Sequence, residues 1–140
     1  MAACTFFGHR DCPDTIRPKL REILRDLIEN QEVDLFYVGD RGNFDVLVRS
    51  ELRKLSKEYP HIHYAVVLAY MPGKELEDYS DTMLPEGIES VHPRYAISWR
   101  NAWMLRQCDY VVAYVVHSWG GAAKYLNSAE KRKKHIRNLV

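Results

Sequence analysis

Four short apolar runs in this chain end in glycine-bearing turns: Gly8-His9-Arg10, Gly39-Asp40-Arg41-Gly42-Asn43, Met71-Pro72-Gly73 and His117-Ser118-Trp119-Gly120-Gly121. Three of the four carry groups that could meet a polar ligand. Glycine lets the backbone come close to a bound molecule and adopt positive φ. After Gly120-Gly121 the pattern turns helical, and the free amides at a helix start attract phosphate. Ser118 adds a hydroxyl there. Arg10 suits a bidentate grip on phosphate, and His9 can donate to a phosphate or ribose oxygen. Asp40 can accept from ribose hydroxyls, with Gly39 and Asn43 beside it in the same turn.

Each group also has a plainer reading. Gly120-Gly121 can serve a tight turn, Arg10 a surface ion pair, His9 simple solvation, and Asp40 the amides of its own turn. Asp45 complements a helix dipole. Arg100 and Asn101 lie near a helix start, within reach of such a rim, whereas Trp103 and Met104 belong to the core. The sequence has neither the Gly-Lys-Ser/Thr of a P-loop nor a G-x-G-x-x-G fingerprint.

The bulk properties narrow the classes. The 140 residues suit one domain, 1–140, with a real core. A net charge of +1 creates no overall field for nucleic acid or an anionic membrane. The short basic run KRKKH (131–135) has no interleaved aromatics and fits a solvated helix end. No apolar run is long enough to span a bilayer, and no charged-then-apolar leader follows Met1, so a cytoplasmic protein is expected. Cys4, Cys12 and Cys108 cannot form a complete set of bridges, and their spacing is no metal signature. Nothing near Cys12 is arranged to lower its pKa. Neither metal nor cofactor is expected.

The elements that must position these turns alternate. CTFF (4–7), VDLFYVG (33–39), IHYAVVLAY (62–70) and DYVVAYVV (109–116) read as strands, and HIRNLV can close the sheet. Residues 15–30 carry Ile16, Leu20, Ile23, Leu24, Leu27 and Ile28 at helical spacing, with Asp14 or Thr15 as cap. Helices are also expected over 43–58, 95–107 and about 121–132. Residues 71–94 show no period, and so long a loop is usually functional or disordered. Strand–helix alternation predicts an α/β fold: an open, doubly wound parallel sheet of about five strands with helices on both faces. Such sheets bind ligands beyond the carboxyl ends of their strands, at the switch in strand order.

The segments TFFGHR, FYVGDRGNFD, VLAYMP and SWRNAWML…CDYVVAYVVHSWGGAAKY together resemble the small bacterial stand-alone SLOG-type proteins of the SMF/DprA–LOG superfamily. The resemblance runs over nearly the whole chain. It implies a Rossmann-like fold and a site for a nucleotide or nucleotide-derived ligand. One branch, the lonely-guy phosphoribohydrolases, cleaves an N-glycosidic bond and carries a helical Arg followed by Pro-Gly-Gly-x-Gly-Thr-x-x-Glu. Arg100 falls on that arginine and Gly120-Gly121 on the glycine pair. Trp119 stands in place of the proline, Ala123 replaces the later glycine and Lys124 the threonine. The glutamate position falls near Leu126 and Asn127. The carboxylate that would stabilise an oxocarbenium-like state is therefore missing there, unless Asp81, Glu86 or Asp40 substitutes.

The reading that follows is a binding module, a sensor or sequestering protein for a nucleotide-derived small molecule. Its expected ligand-binding residues are Gly8, His9, Arg10, Gly39, Asp40, Asn43, Arg100, Ser118, Trp119, Gly120 and Gly121. Tyr79 or Trp119 would stack on the base, and the 71–94 loop would close over it. The alternative is a lonely-guy-type nucleotide hydrolase with Arg100 as its catalytic arginine. DNA is not an expected partner, since backbone binding needs clustered Lys and Arg. A homodimer or larger homo-oligomer is expected, packed through exposed aromatics such as Trp99 and Trp103.

Overall fold

The computed structural model describes residues 2–72 and 81–140. Six parallel strands form one sheet in the order β4-β3-β2-β1-β5-β6. They are β1 (Ala2–Gly8), β2 (Val33–Val38), β3 (His63–Val67), β4 (Thr82–Met83), β5 (Tyr110–Tyr114) and β6 (His135–Asn138). Helices α1 (Arg17–Asn30), α2 (Gly42–Glu58), α3 (Ala96–Gln107) and α4 (Gly121–Lys131) connect them. The chain builds outward from β1 to β4, then returns to the other side of β1 with β5. The order of strands therefore reverses between β1 and β5.

The period-2 alternation of the strands sorts the core into two layers. Cys4, Phe6, Phe36, Val66 and Val112 face α1 and α2, meeting Leu20, Leu24, Leu27, Phe44, Leu47 and Leu52. Phe7, Val67 and Val111 face the other way, with Met104 and Leu105 of α3 and Tyr125 and Ala129 of α4. Glu51 of α2, wholly buried, receives Arg17 at 3.0 Å and Arg21 at 2.9 Å from α1 and so clamps that helical layer. Burial works against the Glu51 charge, yet the two guanidiniums outweigh it and hold its carboxyl below its ordinary range.

Two expectations change. The segment after β3 is not structureless: Thr82–Met83 adds β4 to the edge of β3, and single 3-10 turns form at Ile88–Ser90 and Pro93–Tyr95. A two-residue strand is too short to show a period. Trp99 and Trp103 are half-buried within their own subunit rather than exposed. Trp99 packs with Ala69, Ile88 and Ala96, and Trp103 meets the Tyr37 ring edge-on at 5.2 Å. These two side chains therefore lend no support to a self-association surface. Among the described residues, no helix is long and apolar enough to cross a membrane.

The last residue of β1 shows how closely the site is built onto the sheet. A Cβ on Gly8 would land within the ring of Phe44, at the start of α2. Gly8→Ala is expected to lower stability by about 3 kcal/mol through overpacking, read as a drop in the urea midpoint at unchanged m-value. An unchanged midpoint would show that Phe44 has room to move.

Candidate functional site

Where β1 and β5 part, the ladder runs on through a histidine. The His9 amide donates to the Tyr114 carbonyl at 3.1 Å, and the Val116 amide donates to His9 Nε2 at 2.9 Å. Accepting at Nε2 leaves the proton on Nδ1. Burial, and next the neighbouring His117, push the His9 pKa below its ordinary value, so the ring is neutral at pH 7. His9 stacks on His117 at 3.7 Å, and His117 stacks on Trp119 at 3.8 Å. The three rings form a column that ends in an indole 69% exposed.

This column walls a cleft of ≈ 340 Å³ at the β1/β5 switch point, a volume at the small end of ligand sites. Gly120 opens α4 at φ +94°, a backbone that disfavours any side chain, and nothing lies within 4 Å of where its Cβ would be. The amino end of α4, Gly121 and Ala122, faces the cleft. Arg10 lines the opposite wall, exposed, with no side-chain partner among the described residues. Arg41, Asp11 and the apolar Ile97 and Met104 complete much of the lining.

The floor is an ionic arrangement around Arg100, only 2% exposed. Its Nη1 donates to Asp40 at 2.9 Å and to the Val67 carbonyl at 2.7 Å, and its Nε to Asn101 at 2.8 Å. Asp45 lies beside it in the first turn of α2, accepting the Arg41 amide at 3.0 Å. A Cβ on Gly39 would stand 2.7 Å from the Asp45 carboxylate and 3.3 Å from the guanidinium, so glycine leaves room for both. Asp45 is half-buried, lines the cleft and makes no ion pair with a described residue. Burial is the main cause that lifts its pKa to about 7. The Arg41 amide and then Arg100 oppose the rise, and Asp40 adds to it.

The expected residues thus separate. Gly8, His9, Arg10, Arg100, Trp119, Gly120 and Gly121 come together on the cleft, whereas Gly39, Asp40, Asn43 and Ser118 do not line it. Asp40 is taken by Arg100, and Arg41 lies 3.7 Å from it. Asn43 ties two loops, donating to the Cys12 carbonyl at 2.6 Å and Asp14 at 2.9 Å. Asp81 is held by Arg49 at 2.6 Å, away from the cleft. Tyr79 and Gly73 lie outside the described residues. Sequence reasoning missed Arg41 and His117, and it gave Asp45 only a dipole role. The pattern of α2 placed Asp45 in the first turn but carried no sign of its burial. Among the described residues, no group of three or more His, Cys, Asp or Glu is placed to hold a metal. Cys12, pushed up to about 11 by burial and then by Asp11, is no ready nucleophile.

No protein-family model matches the chain, and no curated protein matches it by sequence. Among solved structures, DNA processing protein A (DprA) from Streptococcus pneumoniae superposes with a TM-score of 0.72 over 99% of this chain, at 14% identity. This chain spans half the length of that one. The likeness shows a shared Rossmann-like fold.

Asp45 gives a pH test of this geometry. The folded chain holds its proton more tightly than the unfolded chain does. Its contribution to stability is therefore full below the ordinary carboxylate range and is lost as pH rises through about 7. Between pH 4 and 8, wild type is expected to lose as much as about 4 kcal/mol relative to Asp45→Asn. Parallel stability–pH curves for the two proteins would contradict a half-buried carboxyl without an ion pair among the described residues.

Proposed function

We propose that this protein binds a nucleotide-derived small molecule in the cleft at the carboxyl ends of β1 and β5, as a sensor or sequestering module. One observation carries the reading. A single small cleft joins a guanidinium with no side-chain partner among the described residues, the glycine-opened start of α4 and an exposed indole face. The amides of Gly121 and Ala122 would hold phosphate, with Arg10 as its counter-charge. Trp119, backed by two stacked imidazoles, would carry the base. Arg100 lies on the cleft floor, where its hydrogen bonds to Asp40, Val67 and Asn101 give it a structural duty.

A second reading, cleavage of an N-glycosidic bond, is favoured by one fact. A carboxyl does stand in the cleft, on Asp45 rather than at the Leu126–Asn127 position. Release of free base on incubation with nucleoside monophosphates would establish it.

Mass spectrometry of small molecules released on denaturing protein purified from cell extract is the test of the first reading. Arg10→Ala is a better control than Arg100→Ala, because Arg10 is exposed and its side chain pairs with no charge among the described residues. Wild type should release an intact nucleotide derivative, and Arg10→Ala at least about tenfold less. Equal recovery from both would place the ligand elsewhere. Recovery of base or sugar phosphate in place of an intact nucleotide would favour turnover.

A further inference from the structure

Two carboxyls, those of Asp40 and the half-buried Asp45, stand beside one buried guanidinium, and the guanidinium is already committed. Arg100 lies 2.9 Å from Asp40, and Asp40 faces away from the cleft. Asp45 faces into it with one oxygen, Oδ2, on the Arg41 amide, while Oδ1 has no donor among the described residues. Arg100 Nη2 is likewise bonded to no described residue. The absence of a side chain at Gly39 keeps this carboxyl and guanidinium together.

A ligand anion drawn to Arg10 and to the start of α4 enters this same cleft. The cube root of ≈ 340 Å³ is roughly 7 Å, less than the Debye length of about 8 Å at physiological salt, so a charge in the cleft acts on Asp45 almost unscreened. An ionised Asp45 would repel it. A neutral one would offer it a hydrogen-bond donor from Oδ1.

Resting on the nucleotide reading above, we propose that Asp45 is a ligand-contacting residue that meets an anionic oxygen as a neutral carboxylic acid, taking up one proton from solvent where it was ionised. The balance is simple: carboxylate, proton and anion combine into a carboxylic acid hydrogen-bonded to the anion, with no covalent change. The free site is poised for this exchange because its carboxyl titrates near neutrality. The other charged or titratable groups around Asp45 are Asp40 and Arg41 from the β2–α2 turn, Arg49 from α2 and Arg100 from α3. Arg10, Asp11 and His9 stand on the β1 side, and His117 on the β5 side. The arginines do not titrate near pH 7 and His9 already accepts the Val116 amide at Nε2, which leaves Asp45 and His117 in the lining; the uptake is placed on Asp45, and the Asp45→Asn variant separates it from uptake at His117. A neutral Asp45 supplies no negative charge for an oxocarbenium-like state, so this inference favours holding the ligand over cleaving it.

The test is calorimetry of the full chain with cyclic AMP and with ADP-ribose, whose phosphodiester and pyrophosphate groups, respectively, do not titrate near pH 7. Each is measured in two buffers of different ionisation enthalpy. Wild type is expected to take up about half a proton per ligand at pH 7 and to weaken about tenfold from pH 6 to pH 8. Asp45→Asn is expected to bind with no uptake and with affinity flat over that range. Carboxyl carbon NMR of wild type should show the Asp45 midpoint rise when ligand is added. Binding of either nucleotide without proton uptake, or an Asp45 midpoint unmoved by it, overturns this inference and leaves the nucleotide reading standing. Absence of binding by both nucleotides to wild type and variant overturns both.

Discussion

The buried guanidinium of Arg100 is the constraint on which the site depends. It joins three parts of the fold: Asp40 after β2, the Val67 carbonyl at the end of β3, and Asn101 on its own helix. A charge this deeply buried is tolerated only when paired and hydrogen-bonded. Asp40 supplies the pairing, with the consequence that Asp45 next to it has none. The polarity of the cleft floor follows from that choice of partner. The neighbouring carboxylates, five residues apart across the turn that enters α2, thereby acquire opposite characters, one an ion-pair acceptor and the other a proton-holding group.

The reversal of strand order supplies the space. Between β1 and β5 the connecting segments leave in different directions, and the gap would expose unpaired backbone. His9 fills it, accepting the Val116 amide with its ring while its own amide meets Tyr114. Fixing the imidazole in this way also fixes the face on which His117 and then Trp119 stack. A structural hydrogen bond at the base of the column thus aims an exposed indole into the cleft, opposite the start of α4. Fold and site are joined here by the same few atoms.

Much of the fold was legible because periodicity reports burial. Leu20, Leu24, Leu27 and Ile28 mark one face of α1, and the near-continuous apolar β3 marks a strand covered on both sides. The two residues of β4 carry no such pattern. In the cleft, glycines and charges at strand ends marked several residues that line it but not which groups turn into it. Asn43 turns to the Cys12 carbonyl and Asp40 to Arg100, while Asp45 turns into the cleft. These choices are made by packing between distant segments, as at Gly39, where the space for a side chain is filled by Asp45 and Arg100. No local rule of propensity or spacing encodes them.

Binding of ligand in the β1/β5 cleft is tested most directly by a crystal structure of the protein soaked with ADP-ribose. Phosphate oxygens are expected within hydrogen-bond distance of the Gly121 and Ala122 amides, with Arg10 turned onto them and the adenine ring on Trp119. Ligand density elsewhere, such as along the basic outer face of α2 at Lys54 and Lys57, with the cleft empty, would contradict it.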